Sequence, residues 1–217
     1  MTNGYTEYRF RTGKAHANAA DRDEFLLDVI RGLDHVKTVL DAGCGTGRLV
    51  AALHDAGYQA HGFDLSESGM QHARESRPDV AYAQASVYDD YRRIFPGIEA
   101  FDVVVSSEVV EHLYQPAVLA QRCYEALRPG GWVVVTTPYH GYAKNLMLAL
   151  TGRMDRHFTA LWEGGHIKFW SARTLSELLR RAGFAPPRFV GLGRIPGCWK
   201  SMVLIARKPA EVSADVC

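Results

Sequence analysis

The spacing of apolar positions changes along the chain, and each change marks an element. Short apolar runs at Thr38 to Ala42 and Gln59 to Asp64 read as strands, and between them Arg48 to Ala56 repeats at helical period. The alternation continues with a helix over Glu67 to Ser76, strands over Val80 to Gln84 and Phe101 to Ser107, a helix over Pro116 to Leu127, and a strand over Trp132 to Thr137. Phe101-Asp-Val-Val-Val-Ser-Ser107 is apolar almost throughout, as expected of a parallel strand covered on both faces. An earlier helix is predicted at about Asp21 to Leu33. A later one over Ser171 to Ala182 places Leu175, Leu178 and Leu179 on one side and stops at Gly183. Two last strands, about Arg188 to Leu192 and Trp199 to Arg207, lie close enough across Gly193, Pro196 and Gly197 to form an antiparallel hairpin. This grammar predicts an α/β fold with a mostly parallel sheet.

Chemistry enters at Val39-Leu-Asp-Ala-Gly-Cys-Gly-Thr-Gly-Arg-Leu49, where the first strand runs through an acid into a glycine-rich turn and a helix. Gly43, Gly45 and Gly47 alternate with Cys44 and Thr46, so the turn can adopt positive φ and bring bare backbone against a ligand. A dinucleotide fingerprint reads G-x-G-x-x-G; here the third glycine comes one residue early. Asp41 would repel a bound phosphate and suits a ligand that carries an ammonium group. The spacing therefore favours S-adenosylmethionine over NAD. Asp64 ends the second strand about 20 residues after the turn, where a carboxylate reaches ribose hydroxyls. Its other reading is a helix cap, a role that Ser66 with Gly69 can fill.

On these residues the chain resembles the class I S-adenosylmethionine-dependent methyltransferases, whose first motif is an acid followed by G-x-G-x-G, and Leu127-Arg-Pro-Gly-Gly131 is a further likeness. The nearest resemblance within them is to the ubiquinone-biosynthesis O-methyltransferases, over about Lys37 to Lys208. It implies a Rossmann-like seven-stranded, mostly parallel sheet with helices on both faces and a closing antiparallel hairpin. It also implies a cofactor site of Asp41, Gly43, Cys44, Gly45, Thr46, Gly47, Asp64 and Leu65, with Ser86 and Val87 at the adenine and Ser107 after the fourth strand. The acidic residue usual at the adenine turn is absent.

Glu108, Glu111 and His112 follow the fourth strand as E-x-x-E-H. If that segment is helical, spacing i, i+3, i+4 puts all three on one face. Two carboxylates and an imidazole can hold Mg²⁺ or another divalent metal, with His166 from Gly164-Gly-His-Ile-Lys-Phe-Trp170 as fourth ligand. The alternative is a metal-free site in which His112 is a base. Methyl transfer to oxygen requires loss of a proton, and a phenol of pKa about 10 needs a base or a Lewis acid at neutral pH. The N/D-P-P-Y/F loop of amino-group methyltransferases is replaced by Ser106-Ser107-Glu108-Val109, which favours a hydroxyl acceptor.

Residues 138 to 170 form an insertion in which Tyr142 to Phe158 reads as a short helix with Leu146, Met147 and Leu150 on one side and basic residues at both ends. It is read as a lid, a partner surface or a peripheral membrane contact. Trp162, Phe169 and Trp170 would wall a pocket for an aromatic or hydrophobic substrate. Residues 1 to 20, with Tyr5, Tyr8, Phe10 and several bases, could cap that pocket or be a loose terminus.

A chain of 217 residues, 47% hydrophobic and 23% charged, is expected to form one domain over 1 to 217. Its net charge of +1 supplies no global field for nucleic acid. Cys44, Cys123, Cys198 and Cys217 form no CxxC, so neither a disulfide framework nor a zinc knuckle is indicated. No segment looks like a signal peptide or membrane span, and a cytoplasmic location is expected; Pro209 to Cys217 reads as a polar tail. The leading expectation is an enzyme, an O-methyltransferase for a small hydroxyl-bearing molecule. An RNA 2′-O-methyltransferase and a non-catalytic S-adenosylmethionine-binding domain are the alternatives.

Overall fold

The structure is a computed structural model that describes residues 19–193 and 196–210. Most of the expected N-terminal cap and the end of the polar tail lie outside the described residues. A seven-stranded sheet runs in the order β3-β2-β1-β4-β5-β7-β6. β1 (Thr38–Ala42), β2 (Gln59–Asp64), β3 (Ala81–Gln84), β4 (Phe101–Ser107) and β5 (Leu127–Pro138) are parallel, whereas β6 (Arg188–Leu192) and β7 (Ser201–Arg207) form an antiparallel pair that adds to β5. The helices are α1 (Ala19–Arg31), α2 (Arg48–Asp55), α3 (Glu67–Ser76), α4 (Tyr91–Ile94), α5 (Pro116–Ala126), α6 (Tyr142–Leu150), α7 (Met154–Phe158) and α8 (Ala172–Arg181).

Strand alternation divides the interior into two cores, one on each face. Val39, Val103, Val105, Val134, Val203 and Ile205 pack with Leu26 and Ile30 of α1 and Leu49, Val50 and Leu53 of α2. Leu40, Val104, Val133, Val135 and Leu204 point the other way, onto Leu119 and Cys123 of α5 and Leu175 and Leu179 of α8. Each fully buried leucine of α8 contributes about 1.5–3 kcal/mol relative to exposure. Ser171 starts that helix with a capping box, accepting from Thr174 N at 3.2 Å while its own N–H donates to Thr174 Oγ1 at 3.1 Å.

Two local expectations change. The Arg128-Pro-Gly-Gly131 turn stays within β5 as a bulge: the ladder with β4 passes from Phe101↔Leu127 to Val103↔Trp132. Gly130 takes φ 77° there, and Arg128 pairs with Asp102, whose other oxygen accepts from Lys37 N and Thr38 N at 2.8 Å each. The single helix expected over Tyr142 to Phe158 is two, because Gly152 at φ 64° ends the first after one residue of overrun at Thr151.

β1 lies between β2 and β4, so the chain reverses its winding there and opens a crevice at the carboxyl ends of β1 and β4. The glycine turn, Glu108 and the insertion all lie at that end.

Candidate active site

The glycine turn is built as the sequence suggests, but for a partly different reason. Gly43, Gly45 and Gly47 have φ of 87°, 57° and 74°. A Cβ on Gly43 would stand 2.5 Å from Val109 Cγ2, and one on Gly47 2.7 Å from Tyr82 Cε1 and 2.9 Å from Ala73 Cβ. At these two positions the missing side chain makes room for the protein itself. Gly43 N and Cys44 N donate to Phe63 O at 2.9 and 3.0 Å, which fastens the turn to β2. Burial pushes the Cys44 thiol well above its usual range.

Asp64 closes the cradle. Its Oδ2 accepts from Gly45 N at 2.9 Å and its Oδ1 from Ser66 N at 2.8 Å, while Ser66 caps α3 by accepting from Gly69 N. Leu65 is exposed beside it and leaves a flat apolar surface. At the turn after β3, Ser86 N is already engaged by Asp89 Oδ2 at 2.8 Å, so the backbone donor expected at Ser86 is occupied. Val87 O accepts from the buried Tyr91 hydroxyl at 2.9 Å, which orders the turn.

Asp41 is 2% exposed, and its Oδ1 has no hydrogen-bond partner among the described residues. Burial, followed by the like charges of Asp23 and Asp64, pushes its pKa up to about 8, against the pull of Arg22. Arg22 is a site residue that sequence reasoning missed. It comes from α1, approaches Glu108 Oε2 at 3.8 Å, and leaves its Nε buried without a partner among the described residues. Nothing in its helical pattern separates it from an ordinary surface arginine. Asp23 beside it pairs with Arg48 at 3.1 Å and ties α1 to the helix that follows the turn.

The E-x-x-E-H segment corrects the one-face expectation. Glu108 has φ 57° and stands outside a three-residue 3₁₀ turn, Val110–His112. A helical repeat therefore never begins at Glu108. Its carboxylate accepts from Thr136 Oγ1 at 3.0 Å, its N–H donates to Thr136 O, and Ser107 Oγ shares Thr136 Oγ1 at 3.0 Å. Glu108 thus sits on the Arg22 side. The groups that converge are Glu111, His112 and His166, with one potential ligand atom from each within 4.8 Å of the others.

Glu111 is 1% exposed; its Oε2 accepts from Thr137 Oγ1 at 2.9 Å, and its Oε1 has no hydrogen-bond partner among the described residues. Burial, then the Glu108 charge, raises its pKa to about 8. His166 Nε2 lies 4.0 Å from Oε1. His112 Nδ1 lies 3.0 and 3.2 Å from the Gly164 and Gly165 carbonyls, which assigns the proton to Nδ1 and leaves the other ring nitrogen with a lone pair. Burial holds both imidazoles below their ordinary pKa, His166 at about 4 with His112 as a further cause. The loop that carries His166 is pinned because Ile167 N and Lys168 N both donate to Glu111 O at 3.0 Å.

This chemistry fits a divalent cation. A buried carboxylate oxygen lacks a partner, two neutral imidazoles face it, and Thr137 and the glycine carbonyls orient the set from behind as second-layer partners do. Thr137 and Thr136 were not predicted, although their place at the carboxyl end of a parallel strand is a signal for them.

The insertion covers this end of the sheet. Trp162 lies 6.4 Å from His112 and 5.7 Å from His166 between ring centroids, and Phe169 meets His140 at 5.0 Å. Trp170 instead packs into the core and points its Nε1 toward Val110 O at 3.4 Å, which makes it a support for the 3₁₀ turn. On α6, Tyr142, Leu146, Met147 and Leu150 are exposed. Among the described residues, no helix is long and apolar enough to cross a membrane.

Comparison with known proteins agrees with the geometry. A methyltransferase domain family matches residues 6–186. A ubiquinone biosynthesis O-methyltransferase of Thiobacillus denitrificans is 36% identical over 162 residues, 72% of this chain and 68% of that protein. One of the same description from Chromobacterium violaceum is 32% identical over 166 residues, 74% of this chain and 69% of that protein. Among solved structures, the magnesium protoporphyrin IX methyltransferase of Synechocystis, with bound SAH, superposes with TM-score 0.66 at 15% identity, covering 92% of this chain and 90% of that one. A SAM-dependent methyltransferase of Archaeoglobus fulgidus gives 0.65 at 17% identity, with 87% and 94% covered. With the glycine turn, the acid after β2 and the sheet order, these matches place the chain in the family of class I S-adenosylmethionine-dependent methyltransferases.

Proposed function

We propose that this methyltransferase transfers the methyl group to a hydroxyl of a small aromatic or hydrophobic molecule, with Glu111, His112 and His166 at the reacting oxygen. The observation that carries the reading is the unpartnered Glu111 Oε1 facing two neutral imidazoles. This cluster is one short turn from the glycine loop, since Val109 packs on Gly43. Supporting the cofactor side are Asp41 for an ammonium group, Arg22 for a carboxylate, Asp64 and Leu65 for a ribose and its base, and Val87 and Ser107 along the crevice.

In this mechanism the acceptor hydroxyl gives its proton to the free ring nitrogen of His112, and the oxygen takes the methyl from the sulfonium. The Gly164 and Gly165 carbonyls hold His112 in the competent tautomer. Glu111, fixed by Thr137, is protonated up to about pH 8 in the free protein and in its carboxylate form stabilises the imidazolium that forms. In the alternative in which Glu111, His112 and His166 hold Mg²⁺ or another divalent metal, the metal would supply Lewis acidity toward the hydroxyl and the ring nitrogen of His112 would be a ligand in place of the base. Trp162 and Phe169, both exposed, offer their rings to an aromatic acceptor. The exposed row on α6 offers an apolar surface to a substrate or to a lipid bilayer.

Transfer of labelled methyl from S-adenosylmethionine to panels of phenols, amines and RNA, with and without chelator, tests the proposal. Labelled methyl ethers are expected from phenols alone; labelling confined to amines or RNA would overturn it. If the cation is required, chelation abolishes turnover and leaves S-adenosylhomocysteine binding intact. If His112 works alone, chelator is without effect and the rate rises with pH through a midpoint below the ordinary imidazole value of about 6.5, because burial lowers its pKa.

A further inference from the structure

The first turns of α1 carry two opposite charges toward the glycine turn. Arg22 and Asp23 stand four and three residues before Leu26, which is fully buried together with Ile30 one turn further on. The face that anchors α1 in the core therefore also turns these two side chains inward, Arg22 toward Glu108 and Asp23 onto Arg48 at 3.1 Å. Arg48 is the first residue of α2, directly after Gly47, in a first turn that has no acid and no side-chain cap. A cation is unfavourable at that end of a helix, and Asp23 brings the missing negative charge from a different helix. Only 16% of the Asp23 side chain is exposed, and burial raises its pKa against the pull of Arg48 and then Arg22, so this ion pair is drawn largely out of water.

Arg22 is held less firmly than its neighbour. Its 3.8 Å approach to Glu108 is longer than a hydrogen bond, and its buried Nε has no partner among the described residues. What sets the guanidinium is therefore chiefly the placement of α1. We propose that Asp23 and Arg48 are positioning residues for cofactor binding: their ion pair clamps the start of α1 to the start of α2 and so sets Arg22 at the amino-acid end of S-adenosylmethionine. The proposal rests on the assignment above of Arg22 to a carboxylate.

The effect of the clamp is confined to one end of the cofactor. Asp64 is fixed by Gly45 N and Ser66 N, and the glycine turn is fastened to β2 through Phe63 O, so the ribose side keeps its geometry without α1. With the ion pair broken, the start of α1 rocks on Leu26 and Ile30, and Arg22 alone loses its place. Asp23 and Arg48 act in this way without touching the cofactor.

The test measures by calorimetry the affinities of S-adenosylhomocysteine and of 5′-methylthioadenosine, which keeps the base, ribose and sulfur but lacks the amino acid. Arg22→Gln should weaken S-adenosylhomocysteine about tenfold to a hundredfold and leave methylthioadenosine within about twofold. Asp23→Asn and Arg48→Gln should each weaken S-adenosylhomocysteine about fivefold with methylthioadenosine spared in the same way, which also shows that the variants fold. The double variant should be no weaker than either single one, because both break the same contact. A direct effect of charge on the amino-acid end would instead move the two single variants in opposite directions. Opposite shifts, unchanged affinities, or equal weakening of both ligands by the Asp23 and Arg48 variants overturn the clamp. If Arg22→Gln alone responds, the assignment of Arg22 stands and the clamp falls; if Arg22→Gln leaves S-adenosylhomocysteine unaffected, the assignment falls and the clamp with it.

Discussion

Asp41 sets the most direct test at the residue scale, because its buried carboxyl has an unpartnered oxygen to which the proposed function assigns the ammonium group of the cofactor. In the free protein it keeps its proton to about pH 8, mainly through burial. An ammonium docking beside it favours the carboxylate, so cofactor binding at pH 7 should expel a proton and tighten as pH rises from about 6 to about 7.5. The sign for folding is opposite. From about pH 4 the unfolded chain gives up a proton that the folded chain retains, so the free protein loses stability up to about pH 8. Calorimetry in buffers of different ionisation enthalpy reads the released proton, and Asp41→Asn should abolish it; equal heats in all buffers for the parent protein would refute the assignment. Asp64→Ala removes the acceptor of Gly45 N and Ser66 N as well as the proposed ribose contact, and should weaken S-adenosylhomocysteine roughly tenfold to a hundredfold. Unchanged affinity would remove Asp64 from the site. Both acids were legible in the sequence because each stands at a fixed place relative to the glycine turn. Arg22 was not, and Glu108 was read without this partner, since an ion pair between α1 and the end of β4 has no local spacing to announce it.

At the scale of elements, the crevice depends on a contact between two turns. Gly43→Ala forces a side chain into φ 87° and against Val109, and should destabilise the fold by about 2–4 kcal/mol. Adding Val109→Ala relieves the overpacking but leaves the strained dihedral, so urea unfolding should recover about half of that loss. Full recovery would show that the backbone tolerates a side chain there. The insertion behaves differently, because α7 buries no residue. Trypsin should cut first at Arg153 or Arg156, and more slowly once S-adenosylhomocysteine and a phenol are bound. Cleavage that ignores ligand would identify the segment as fixed structure. The sequence gives strands and helices by periodicity, and their limits agree to within a residue or two over most of the sheet. It misplaced Glu108 because E-x-x-E-H carries helical spacing while the chain there leaves a strand through a left-handed residue, a choice made by Thr136 and not by neighbours in sequence.

For the molecule as a whole, a mostly parallel sheet was legible from βαβ alternation and the closing hairpin from its short glycine-containing connection, whereas the order β3-β2-β1-β4-β5-β7-β6 comes from the structure. The proposed acceptor site was less so, because it is assembled from the turn after β4, the end of β5 and a loop about 50 residues beyond that turn. What unites these parts is the placement of Glu111, His112 and His166 beside the glycine turn, and the account stands or falls on that cluster acting on a hydroxyl. The deciding measurement is single-turnover methyl transfer to a phenol by His112→Ala and Glu111→Gln, alongside S-adenosylhomocysteine affinity. Loss of the proton acceptor His112, or of the Glu111 carboxylate that stabilises its charged form, should each slow transfer at least about a hundredfold, with affinity for the cofactor product held within about twofold. Variants that transfer methyl at the parent rate would contradict it.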